Sequence, residues 1–185
     1  MKNIAVTGSF ASGKSYVIKQ IEKMGYRVFS CDDYVRILYQ NIDIQNMIVK
    51  EIDGLKVFEK SKLAEIIYNN DELRIKLEKI IHPMVKIGIK NFEQENIEEK
   101  LIFTEVPLLY ESGFDKYFAH VICVYCSENL RLVRALNRGL KNIEIFEKIK
   151  SIQLPQDIKI KLTPHTINSE YEIEDQIKEI IKKIT

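Results

Sequence analysis

Apolar residues along the chain switch between two periods, and the switches lay out its elements. Ile4-Ala5-Val6 is a short continuous apolar run, as expected of a strand buried on both faces. Val17, Ile18, Ile21 and Met24 then recur at helical spacing, and Gly25 stops that helix. Tyr26-Arg27-Val28-Phe29-Ser30 reads as a second strand running into Cys31-Asp32-Asp33. From about Asp33 to Asn96 the pattern is helical throughout. Leu63, Ile66 and Ile67 mark one amphipathic segment, Leu73, Leu77, Ile80 and Ile81 another, and Val85, Ile89 and Phe92 a third. His82-Pro83 falls between the last two. Proline lacks an N–H and suits the first helical position, so Pro83 is expected to end one helix and open the next.

Alternation resumes with Leu101-Ile102-Phe103-Thr104-Glu105-Val106, a third strand, and His120-Val121-Ile122-Cys123-Val124-Tyr125, a fourth. Two helices follow, one presenting Leu130, Val133 and Leu136 on its apolar face and one presenting Ile145, Phe146, Ile149 and Ile152. A short last strand around Thr166-Ile167 precedes a helix carrying Ile173, Ile177, Ile180, Ile181 and Ile184. Five strands alternating with helices imply an α/β fold, a doubly wound parallel sheet with helices on both faces. The pattern leaves the strand order open. The all-helical stretch interrupts the alternation and reads as an insertion over the crevice at the carboxyl ends of the strands. One domain of residues 1–185 is expected, with a core of about 1–32, 97–127 and 161–185, a helical acceptor-binding insert of about 33–96 and a helical lid of about 128–160.

The first strand runs into Gly8-Ser9-Phe10-Ala11-Ser12-Gly13-Lys14-Ser15, which fits G-x-x-x-x-G-K-[ST], the phosphate loop. Strand before and helix after are the context that this motif needs. Its glycines let successive backbone N–H groups point into one concavity, where a polyphosphate sits at the positive end of the following helix. Lys14 adds a point charge for the outer phosphates, and Ser15 offers a hydroxyl to Mg2+. Tyr16, next in the chain, completes the expected nucleotide-binding run. Asp32 and Asp33 stand at the end of the second strand, beside this loop in an open α/β sheet. Glu105, at the end of the third, suits a carboxylate that holds a magnesium-bound water.

Composition narrows the function classes. The chain has 185 residues, 45% of them hydrophobic, enough to bury a full core. With 28 basic and 27 acidic residues its net charge is +1, and the charges are interspersed along helices, which argues against a nucleic-acid partner. The first apolar run is too short for a secretory leader and no stretch is long enough to span a bilayer, so a cytoplasmic protein without a membrane partner is expected. Three cysteines, Cys31, Cys123 and Cys126, are too few for a disulfide framework, and the C-x-x-C of Cys123 and Cys126 falls on a buried strand and reads as packing.

ATP-dependent phosphoryl transfer requires a held γ-phosphate, neutralised charge, excluded water and an acceptor hydroxyl in line. Gly8 to Ser15 with Mg2+ meet the first two. Arg134 and Arg138, four apart on a predicted lid helix, suit the third, because guanidinium groups make paired contacts with phosphate oxygens. Asp32 is the favoured base or acceptor-orienting group, with Asp33 one residue away as the alternative. A GTPase-type switch requires N-K-x-D and a D-x-x-G after the third strand, and the sequence has neither.

Taken together these residues resemble the dephospho-coenzyme A kinase family over nearly the whole length. The family's T-G-x-x-x-S-G-K-S is Thr7 to Ser15, its Asp-Ala-Asp with a following arginine is Ser30-Cys31-Asp32 with Arg36, and its His-Pro step is His82-Pro83. Its D-x-P-L-L-x-E is Glu105-Val106-Pro107-Leu108-Leu109-Tyr110-Glu111, its lid arginines are Arg134 and Arg138, and the glutamine before the lid's return is Gln153. The resemblance implies transfer of the ATP γ-phosphate to the ribose 3′-hydroxyl of dephospho-coenzyme A. Asp32, Lys14 and Arg134 are then catalytic, Gly8 to Tyr16 and Arg138 bind nucleotide, Asp32, Arg36, His82, Leu108 and Glu111 bind the acceptor, and Ser15 and Glu105 hold Mg2+. ATP and dephospho-coenzyme A are the implied partners, and a monomer or weak homo-oligomer the implied state. Departures are Ser30 and Glu105 in place of aspartates, Gly139 in place of the lid's aspartate, and Thr163 to Glu170 in place of A-D-x-V-I-D-N-x-G, a segment near the adenine in the family. A nucleoside monophosphate kinase built on the same sheet, or a catalytically weakened relative, are the alternative readings; retained Lys14, Ser15 and Asp32 argue against the second.

Overall fold

A computed structural model describes all residues from Met1 to Thr185. The chain divides into two compact units, Met1–Ser30 with Glu93–Thr185, and Cys31–Phe92.

The first unit is built on five parallel strands in the order β2-β3-β1-β4-β5, where β1 is Lys2–Gly8, β2 Arg27–Ser30, β3 Leu101–Glu105, β4 His120–Tyr125 and β5 His165–Asn168. The most apolar strands are central: Ile4, Ala5 and Val6 of β1 lie between Ile102 and Phe103 of β3 and Ile122 of β4, all fully buried. A strand covered on both faces gains nothing from polar alternation, so it is written as a continuous apolar run. The principal core joins these strands to Val17, Ile18 and Ile21 of α1 (Lys14–Lys23) and to Ile177, Ile180 and Ile184 of α9 (Glu174–Ile184). Helix α1 ends where expected, with Gly25 at φ 91° relieving the chain into β2.

Three further helices of this unit follow β4: α6 (Glu128–Asn137), α7 (Ile143–Ile152) and α8 (Gln156–Leu162). Phe146 of α7 is buried as its spacing predicts, but the apolar face expected on α6 is wrong. Val133 and Leu136 are exposed, and Arg131 and Ala135 are the buried positions. Arg131 lies 5.6 Å from the centroid of the Phe146 ring, a cation on an aromatic face, so the aliphatic stem and planar head of an arginine fill a place that periodicity assigns to leucine. Helix α8 has no counterpart in the sequence reading, since its alternating lysines and isoleucines hide a short helix.

The second unit holds α2 (Cys31–Leu38), α3 (Ile42–Glu51), α4 (Lys60–Tyr68) and most of α5 (Asp71–Glu95). Asn41 caps α3, its side chain accepting the amides of Asp43 and Ile44 at 2.8 and 3.3 Å. The expected break at Pro83 does not occur. Helix α5 runs 25 residues straight through it, and Leu73, Leu77, Ile81, Val85 and Ile89 form one continuous buried face. Burial along seven turns outweighs the single hydrogen bond that proline forgoes, about 3 kcal/mol against several side chains at about 2 kcal/mol each. Helices α2 and α5 meet at Gly88, where an added Cβ would lie 2.5 Å from Tyr34.

Candidate active site

The turn from β1 into α1 curls because three of its residues have positive φ: Gly8 at 149°, Ala11 at 60° and Gly13 at 99°. Ala11 is the one non-glycine residue of the chain in that region, a strain of about 1 kcal/mol held by the loop around it. At Gly8 the backbone passes so close to β4 that a Cβ would sit 2.1 Å from the Val124 carbonyl. The loop is thus moulded against the neighbouring strand. Ser12 N–H donates to Ser9 O at 3.1 Å across the turn, and the buried Ser12 hydroxyl has no partner. An orphaned hydroxyl in a concavity of amides at a helix N-terminus fits a phosphate oxygen.

Lys14 is buried at 9% exposure and donates to the carbonyls of Gly8 at 2.8 Å and Ser9 at 3.0 Å. The ammonium is therefore tethered to the rim of its own loop. Opposite it, Ser15 Oγ donates to Glu105 Oε1 at 3.2 Å, and the other carboxylate oxygen lies 3.5 Å from the Ser30 hydroxyl. Glu105 itself is 7% exposed, at the end of β3, in register with Val6 on one side and Ser30 on the other. A hydroxyl and a carboxylate converging at the mouth of a phosphate loop are the oxygen ligands a hard divalent cation prefers.

The two arginines expected on a lid helix part company. Arg134 stands behind the loop, its guanidinium donating to Ser12 O at 3.3 Å, Ser169 Oγ at 2.8 Å and Ser169 O at 2.9 Å, with Cys126 Sγ at 3.4 Å. The Ser169 hydroxyl itself donates to Ser12 O at 2.6 Å, so α6, the segment after β5 and the phosphate loop are joined through one carbonyl. Arg138 caps the C-terminus of α6 and is exposed, as is Tyr16. Gln153 accepts the Phe10 N–H at 2.8 Å, which brings the end of α7 onto the loop.

Glu111, expected to face the acceptor, turns its side chain inward. Its Oε1 lies 2.8 Å from Lys159 Nζ and accepts the Leu154 N–H at 2.8 Å, and the side chain is 17% exposed although the backbone is at the surface. Leu108 is partly buried in the same turn. Lys159 and Ser169 are the two contributors that sequence reasoning passed over. Nothing in spacing separates the buried Lys159 from the exposed Lys161 two residues on. Nearby, burial in β4 pushes the Cys123 thiol up to about 11, against the opposing pull of Lys159 and Lys14. Such a thiol stays protonated and unreactive.

In the second unit Asp32 and Asp33 occupy the first turn of α2, both exposed, and Arg36 pairs with Asp33. Negative charge there is favourable for the helix, whose amide ends point the same way. Cys31 opens α2 immediately after Ser30 closes β2. His82 lies within α5, half-buried, and burial lowers its pKa, helped by Lys86 and opposed by Glu78.

Comparison with known proteins follows the same lines. The sequence profile of a family described as Dephospho-CoA kinase matches residues 2–175. A Rickettsia typhi protein named Dephospho-CoA kinase is 41% identical over 184 residues, covering all of this chain and 96% of the relative. A Fusobacterium nucleatum protein of the same name is 33% identical over 183 residues, covering 96% and 94%. Among solved structures, dephospho-CoA kinase from Campylobacter jejuni superposes with a TM-score of 0.69 at 25% identity, covering 98% of this chain and 96% of that one. Shikimate kinase from Acinetobacter baumannii, with a TM-score of 0.53 at 16% identity over 100% and 93% of the two chains, shares the fold. The match runs from β1 into α9, through both units and every landmark described above, and on that basis the chain belongs to the dephospho-CoA kinase family.

Proposed function

We propose that this protein transfers the γ-phosphate of ATP to the ribose 3′-hydroxyl of dephospho-coenzyme A. Family membership supports the substrate pair, and the convergence of Ser15 and Glu105 at the mouth of the phosphate loop is the observation that carries the chemistry. In this reading the loop amides and the Ser12 hydroxyl take the phosphate oxygens, and Lys14 exchanges its carbonyl partners for the outer phosphates. Ser15 and Glu105 are the residues that would hold Mg2+, which would supply positive charge against that of the phosphates. Asp32, an exposed residue in the first turn of α2, takes the proton of the acceptor hydroxyl. Arg36, His82 and Leu108 are assigned to the acceptor and Tyr16 and Arg138 to the nucleotide. Arg134 acts through the loop carbonyl and Ser169 that it holds.

The test is turnover with ATP, Mg2+ and dephospho-coenzyme A, with the product's 3′-phosphate located by 31P NMR. Phosphorylation of a nucleoside monophosphate in place of dephospho-coenzyme A would transfer the protein to another acceptor class.

A further inference from the structure

Lys159 is the most deeply buried charge of the first unit, at 0% exposure, on a seven-residue helix that otherwise meets solvent. Its Nζ lies 2.8 Å from Glu111 Oε1 and 3.4 Å from the Pro107 carbonyl, which also accepts the Thr7 hydroxyl at 3.5 Å. Thr163 closes the helix behind it, its hydroxyl donating to Lys159 O at 2.6 Å and lying 2.6 Å from Tyr110 OH. Burying an ion pair is seldom a net gain in stability, because desolvation offsets the attraction and an apolar pair of equal volume does as well or better. The pair is better explained by what it orients.

The same Glu111 oxygen that meets Lys159 accepts the Leu154 N–H, and the residue before Leu154 is Gln153, whose side chain meets the Phe10 N–H of the phosphate loop. Residues 153–155 form the strap between α7 and α8, held by the phosphate loop at Gln153 and by Glu111 at Leu154. We infer that Lys159 is a positioning residue: it fixes the Glu111 carboxylate, which fixes the strap, so that Gln153 is presented to the phosphate loop. This deepens the phosphoryl-transfer reading and rests on it. In the structure the Gln153 oxygen accepts the N–H of Phe10, the third residue of the phosphate-binding motif. With its oxygen on the loop backbone, the Gln153 side-chain amide keeps an NH2 free to donate to a phosphate bound in the loop. Charge grows on the transferring group in the transition state, so a donor held there acts mainly on kcat.

Four variants test this. Lys159→Met alone leaves a carboxylate unpaired and lowers stability; combining it with Glu111→Leu replaces the pair by apolar groups and restores the melting temperature to within a few degrees of the parent, while the Leu154 amide still lacks its acceptor. With ATP and dephospho-coenzyme A, the double variant is expected to lose about tenfold or more in kcat with KM for ATP within about threefold. Amide exchange at Phe10 in the nucleotide-free protein quickens by about tenfold or more. Gln153→Ala, which disturbs no buried charge, reproduces the kcat loss, and adding it to the double variant gives no further loss. Full kcat in the stable double variant, unchanged Phe10 exchange, or multiplying effects in the triple variant would each overturn the inference. Should the double variant not fold, full kcat in Gln153→Ala overturns it alone. If the parent protein leaves dephospho-coenzyme A unphosphorylated, the function reading fails, and Phe10 exchange still decides whether Lys159 and Glu111 hold the strap.

Discussion

Lys14 illustrates how a residue's type is legible long before its contacts are. The motif announces a cation for phosphates, and in the protein that cation is parked on the carbonyls of Gly8 and Ser9, a hydrogen-bonded rest state that keeps a buried ammonium satisfied. Lys14→Ala is expected to lower kcat/KM by about a hundredfold or more, read by coupled ADP release, because its ammonium is the charge that the motif supplies for the outer phosphates. Asp32→Asn is expected to lower kcat by about a hundredfold with ATP affinity nearly unchanged; the same loss in Asp33→Asn and none in Asp32→Asn moves the base by one residue. Gly8→Ala tests the loop's fit to β4. Its Cβ meets backbone at 2.1 Å, so a loss of more than about 2 kcal/mol in urea unfolding is expected, and a near-neutral result would mean that the loop shifts freely. Glu105 and Ser15 were legible because the motif and the strand end fix their places. Lys159 was not, because a lysine between isoleucines on a short helix has the same sequence signature whether it faces water or carboxylate.

At the scale of elements, periodicity found all five strands, and it erred where a polar residue or a proline took an unexpected side. On α6 the buried face belongs to Arg131 and Ala135, since Phe146 of α7 offers an aromatic surface to the guanidinium and leaves Val133 in solvent. On α5 the proline is an exposed interior residue of a long helix. Pro83→Ala restores an N–H to that helix and is expected to raise stability by about 1 kcal/mol or more, measured by thermal unfolding; a loss would show that the fixed backbone angle of proline is needed there. Strands β4 and β5 carry His120 and His165 with ring centroids 5.7 Å apart. Burial, then the charges of His120 and Lys183, hold His165 below the ordinary 6.5. Below that value the unfolded chain takes up the proton before the folded one does. This contribution to stability is therefore complete above about pH 6.5 and is lost as the pH falls towards the folded value. Urea midpoints are expected to decline from pH 7.5 to pH 5, less steeply in His165→Gln; equal slopes would place the proton uptake elsewhere, with His82, lowered in the same direction, the next to substitute.

For the molecule as a whole, the sheet is the frame on which the site depends. Ile122, fully buried in β4 beside β1, is expected to cost about 2–5 kcal/mol on replacement by alanine, enough to loosen the strand against which Gly8 is moulded. Conversely, any ligand held by the folded loop alone stabilises the whole, and ATP with Mg2+ at a hundred times its dissociation constant should add about 2.7 kcal/mol; an unmoved melting temperature would count against the nucleotide site. No helix is long and apolar enough to cross a membrane. Sequence alone determined the phosphate loop, the alternation of strands with helices, and the family, since those rest on local spacing and residue type. Tertiary structure decided the order β2-β3-β1-β4-β5, the inward turn of Glu111, the burial of Lys159 and the seating of Arg134 on Ser12 and Ser169. Each of these joins residues from 35 to 122 positions apart in sequence, and contacts between distant segments leave no periodic trace in either one.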